Sequence, residues 1–236
     1  MKHRIFSALF AATFFVTVYS NHSLRSLAFF VILEIIAASI YNSFHVKVQH
    51  GYYWSAIRFA LLQTSIALLA LALPAGFRFI PLALSAVLLY FSQLLISVAS
   101  EQLLFIETLM SFFGFSLGLF AISFYFAPPS TVILGLIFLF ATIAARCGFD
   151  PIPRSGREKA FYAFLIGLSV TEITWALLLL PLHFSALGII DFNAFYVLWM
   201  LSYFYFHHNI SGKKIIFHVS FAMVLIIITL IATPFK

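Results

Sequence analysis

Fifteen consecutive residues, Thr131 to Ala145 (TVILGLIFLFATIAA), carry no charge and show no alternation of polar and apolar positions. A membrane-spanning helix needs about 20 mostly apolar residues. A strand of a membrane barrel is roughly ten residues long and alternates in polarity. This run, and others like it along the chain, therefore predicts helices. Composition removes the soluble alternative. Only 8% of the 236 residues are charged, 64% are hydrophobic, and mean hydropathy is +1.10, against roughly 25% charged residues in an ordinary soluble domain. Seven acids and thirteen bases cannot cover a protein of this size in water. A soluble globular domain, a disordered chain, a coiled coil and a nucleic-acid binder are all excluded. The expected fold is all-α: one polytopic transmembrane bundle of eight or nine helices over residues 1–236, with no soluble domain.

The spans are predicted near 5–20, 26–44, 55–73, 80–100, 103–126, 131–145, 160–180, 185–206 and 215–235. Pro74, Pro81, Pro128, Pro129 and Pro181 fall at their edges, where a missing backbone donor costs least. Only Ser100, Glu101 and Gln102 separate the fourth span from the fifth, hence eight or nine. Met1-Lys-His-Arg4 ahead of the first apolar run looks like a signal-peptide start, but Val18-Tyr19-Ser20 is a poor cleavage site. An uncleaved signal-anchor is expected.

Lys and Arg are enriched in cytoplasmic loops. With nine spans and a cytoplasmic N-terminus, the inner segments hold Lys2, Arg4, Lys47, Arg58, Arg146, Arg154, Arg157, Lys159, Lys213 and Lys214, and the outer ones Arg25, Arg78 and Lys236. That bias predicts a plasma-membrane protein with its N-terminus inside. The longest polar stretch is then a cytoplasmic loop, 146–159 (RCGFDPIPRSGREK). Its bases Arg146, Arg154, Arg157 and Lys159 are expected to face anionic lipid headgroups or to dock a partner.

The acids carry the functional information, because a charge in hydrocarbon is costly and is paired or functional when it occurs. Asp150 and Glu158 belong to the loop, and Glu101 to an interface. Glu34, Glu107, Glu172 and Asp191 remain within predicted spans. Glu34 shares a helix face with Ala37, Ala38 and Tyr41. Glu107 shares one with Ser111, Gly114 and Gly118, and Glu172 with Ser169 and Ala176. Small residues let membrane helices approach closely, so each acid is expected to face the bundle interior. Glu34 lies nine residues from Arg25, and Glu172 nine from Pro181, which places both about 14 Å below the outer surface. Asp191 enters its span from the same side. The three are expected to converge on an outward-facing cavity with His183 at its rim, Tyr41 and Trp175 as partners, and Glu107 nearer the inner side.

Patterns of catalysis do not hold up. Gly114-Phe-Ser-Leu-Gly118 spells G-x-S-x-G, but that elbow needs a strand-to-helix turn, and mid-span the glycines read as a packing face. Cys147 has no histidine near it in sequence. The eight His form no metal-binding pattern, and no phosphate-binding loop is present. No catalytic residue, metal site or cofactor is expected. The functional expectation is a transport or permease-like protein with Glu34 and Glu172 in an intramembrane site. The alternative is a structural or assembly subunit of a membrane complex, with a membrane-protein partner or a second copy of itself. An intramembrane enzyme ranks third. A permease predicts a water-filled cavity reaching its acids; an assembly subunit predicts acids that are buried and paired.

Overall fold

The computed structural model describes residues 2–20, 24–45, 52–73, 79–94, 101–208 and 210–233. Among them the chain is all-helical. Nine helices follow in order: α1 (Lys2–Ser20), α2 (Leu24–His45), α3 (Tyr52–Ala72), α4 (Phe79–Leu94), α5 (Glu101–Phe126), α6 (Ser130–Gly148), α7 (Gly156–Leu178), α8 (Phe184–Phe206) and α9 (Gly212–Ala232). Five are long and apolar enough to cross a membrane: Gln102–Phe126 of α5, and α6 to α9. The residues between α4 and α5 lie outside those described.

Local chemistry explains where the helices stop. Ala127 adopts φ 46° and its N–H closes back on Ser123 O at 3.1 Å. Pro128 and Pro129 follow, so α5 cannot continue, and Pro129 instead caps α6. Ser155 caps α7 by accepting the Glu158 N–H at 3.2 Å, the S-x-x-E opening of a capping box. His183 caps α8 by accepting the Ser185 N–H at Nδ1.

The chain divides into two compact units, Met1–Phe115 and Ser116–Lys236. In the first, α1 and α4 run antiparallel. Tyr19 and Phe15, late in α1, stack edge-on against Phe79 at the start of α4. The core collects Phe10, Phe14 and Val18 of α1, Val31 and Ala38 of α2, Phe59, Leu62 and Ile66 of α3, and Leu82 and Leu89 of α4. Helices α3 and α5 run in the same direction. Arg58 pairs with Glu107, and seven residues on in both helices Ser65 abuts Gly114, where an added Cβ would sit 3.0 Å from the Ser65 carbonyl oxygen.

In the second unit successive helices are antiparallel. Gly167 of α7 lets Thr142 of α6 come so close that a Cβ would overlap its hydroxyl. Helix α8 packs along α5, with Phe184 against Phe124 at one end and Gly188 against Leu117 further along. Helix α9 rests on α8 through Phe221 and His218 against Tyr196 and Lys214 over the Phe204 ring at 5.2 Å. Of α9, Ala222 is buried.

Candidate functional site

The four intramembrane acids meet four different fates. Glu107 is buried beside Arg58, itself buried in α3. Arg58 belongs to the inner segments of the expected topology and stands near the start of the span predicted at 55–73. It lies six residues inside α3, Glu107 lies six inside α5, and the parallel helices bring them to one level. The small-residue stripe of α5 is buried along its length at Glu107, Ser111, Gly114 and Gly118.

Asp191 is fully buried in the second unit. The Ser116 hydroxyl of α5 lies 2.8 Å from its Oδ2, and the Thr174 hydroxyl of α7 lies 2.7 Å from its Oδ1. Both hydroxyls also reach helix carbonyls, Ser116 that of Gly188 at 3.2 Å and Thr174 that of Val170 at 2.9 Å. Three helices thus meet at one carboxyl. Neither hydroxyl was picked out from sequence as a partner. Ser116 is the serine of the G-x-S-x-G string of α5, and Thr174 lies between Glu172 and Trp175 in α7.

Glu172 departs from expectation. The buried stripe of α7 is Ala163, Ile166, Gly167, Val170, Thr174 and Leu177. Glu172 stands two residues from Thr174, about 200° around the helix, and is exposed, as are Trp175 and Ala176. Contact with α6 through Gly167 selects the face that turns inward, and that face excludes Glu172. Within the second unit Glu172 and Asp191 therefore do not converge. Glu34 belongs to the first unit, half-buried, with the Thr17 hydroxyl of α1 at 3.5 Å. The Tyr41 side chain lies outside the described residues. His183 is tied to Ser185 and packed on Phe124 and Phe184, so its ring serves the start of α8.

Segment 146–159 is a folded corner. Phe149 and Ile152 are buried, and Phe149 stacks on Trp199 and meets Phe206 edge-on. Arg154 donates to the Phe206 carbonyl through Nε (3.2 Å) and Nη2 (3.1 Å) and meets the His208 ring. A cation thereby sits where the α8 dipole is negative. Lys159 is buried and donates to the Asp150 carbonyl at 2.8 Å, while Arg146 stands 3.9 Å from the Asp150 carboxylate. Of the four loop bases expected to face headgroups, Lys159 and Arg154 are committed to the fold and Arg157 is exposed. Removing the Arg154 side chain (Arg154→Ala) is expected to lower stability by about 1–3 kcal/mol. Thermal unfolding in detergent measures it, and Arg157→Ala should leave the midpoint unmoved.

Among the described residues no group of three His, Cys, Asp or Glu side chains is gathered as a metal would require. No family model, no curated protein and no solved structure matches this chain.

Proposed function

We propose that this protein is a multi-pass subunit of a membrane complex, set in the plasma membrane with its N-terminus in the cytoplasm, and that it docks a partner helix along the outer face of α7. One observation carries this reading: Glu172 is exposed within a helix long and apolar enough to span the membrane. Two other acids are engaged inside the protein, Glu107 by Arg58 and Asp191 by two hydroxyls, which favours assembly over a permease with acids open to a cavity. Exposed to acyl chains, Glu172 carries the cost that keeps ionisable residues out of lipid-facing positions. A basic side chain from a neighbouring helix removes it.

The surroundings of Glu172 support a helix as the partner. Phe161, Leu165, Leu168 and Trp175 are exposed large apolar residues. With Glu172 their spacing is four, three, four and three residues, which makes one straight seam along α7, the spacing of helices packed at a shallow angle. The proposed partner is a membrane helix from another protein with Lys, Arg or His at the depth of Glu172.

A photoreactive residue at position 168 or 175 in the cell's own membrane tests this. One dominant adduct is expected, to a span containing a base. It should be lost in Glu172→Leu and regained when Glu172→Lys is combined with an acidic replacement of that base. Adducts to lipid alone, to a second copy of this chain, or insensitive to residue 172 would overturn the proposal.

A further inference from the structure

The contacts around Asp191 can be counted in protons. Four oxygen–oxygen distances lie within hydrogen-bonding range: Thr174 Oγ1 to Asp191 Oδ1 (2.7 Å), Ser116 Oγ to Asp191 Oδ2 (2.8 Å), Thr174 Oγ1 to Val170 O (2.9 Å) and Ser116 Oγ to Gly188 O (3.2 Å). Each of the three shortest contacts, 2.7, 2.8 and 2.9 Å, needs a hydrogen between its oxygens, since two lone pairs at that distance repel. Backbone carbonyls and a carboxylate only accept, and each hydroxyl has one proton to give. With an ionised Asp191 there are two protons for these three contacts. Among the described residues no cation forms an ion pair with Asp191; Arg58 pairs with Glu107 and Arg146 with Asp150. The polar groups facing it are the Ser116 hydroxyl from α5 and the Thr174 hydroxyl from α7.

We infer that Asp191 is an intramembrane proton-binding site, a neutral carboxylic acid that joins α5, α7 and α8. One proton on Oδ1 accounts for every short contact. The acid O–H donates to Thr174 Oγ1, and the Thr174 hydroxyl is then free to donate to Val170 O. The Ser116 hydroxyl donates to Oδ2, which acts as the carbonyl oxygen of the acid. The remaining contact, Ser116 to Gly188 O, is the longest of the four. The ligand of this site is a proton, held in the interior of the second unit with a hydroxyl and a helix carbonyl in line beside it. This inference stands apart from the docking of Glu172, which points away from Asp191 on the other side of α7.

Infrared spectroscopy of the full-length protein in lipid nanodiscs at neutral pH is the test. A protonated carboxyl shows a carbonyl stretch well separated from carboxylate bands. The wild-type minus Asp191→Asn difference spectrum is expected to contain that stretch. Ser116→Ala should raise its frequency, because the carbonyl loses a donor, whereas Glu172→Gln should leave it unmoved. Asparagine keeps the shape, and its amide N–H donates where the acid O–H did, so Asp191→Asn is expected to retain the wild-type melting midpoint. A difference spectrum that shows the loss of carboxylate bands instead, or a carbonyl stretch indifferent to Ser116→Ala, would overturn the inference.

Discussion

Replacing Arg58 with Met should destabilise the protein by on the order of 3–5 kcal/mol, the penalty for stranding one partner of a buried ion pair. Both groups are nearly inaccessible, Arg58 at 6% and Glu107 at 1% exposure. Among the described residues the second carboxylate oxygen, Oε1, is buried without a hydrogen-bond partner, as is the Ser111 hydroxyl one turn along α5. No other cation among the described residues pairs with Glu107 once the guanidinium goes. Removing both charges together has a different consequence. In Arg58→Met/Glu107→Leu no charge remains to be desolvated, and well-packed apolar replacements of buried pairs are often neutral or better. The double variant should therefore recover most or all of the loss. The measurement is a double-mutant cycle by thermal or denaturant unfolding in detergent, and additive single losses would show that the two side chains do not interact.

Substituting Gly188 by Leu should separate α5 from α8. A Cβ at this position would lie 2.9 Å from Leu117 Cα and 3.2 Å from its amide nitrogen. Those are backbone atoms, so no rotamer change can make room, and the helices must part. Overpacking of this kind costs about 1–3 kcal/mol. Because the Gly188 carbonyl and Asp191 both meet Ser116, the same movement should disturb the carboxyl's hydrogen bonds. Gly135 supplies the contrast. A Cβ there meets nothing within 4 Å, and alanine is favoured over glycine in a helix interior by about 1 kcal/mol. Gly135→Ala is expected to be neutral or stabilising. A melting midpoint for Gly188→Leu equal to that of Gly135→Ala would show that α5 and α8 do not touch at this level.

The outward turn of Glu172 has a physical cause. On α7, Ser169, Glu172 and Ala176 form one stripe of small or polar residues, while Ala163, Gly167, Val170 and Thr174 form another. Both look suited to close helix contact. In water the more apolar face would turn inward and decide the matter, but lipid tails are as apolar as a protein core, so hydrophobicity does not separate them. The choice falls to shape, here the fit of Gly167 against Thr142. Arg58 stands near the start of its predicted span, and only the parallel approach of α5 gives it Glu107. On α5 a single small-residue stripe was on offer, and the reading from sequence agreed with the structure.

The amino-acid order alone determined that this chain is helical and built for lipid, because unbroken apolar runs, prolines at their edges and scarce charge act within a few residues of themselves. Its spans near 103–126, 131–145, 160–180 and 185–206 overlie α5 to α8. The tertiary structure alone decided which acids look inward and what meets them. Asp191 finds its hydroxyls 75 residues back in α5 and 17 back in α7, and Glu107 finds its base 49 residues back in α3. Such partners are chosen by the packing of helix against helix, a property of surfaces that no local stretch of sequence contains.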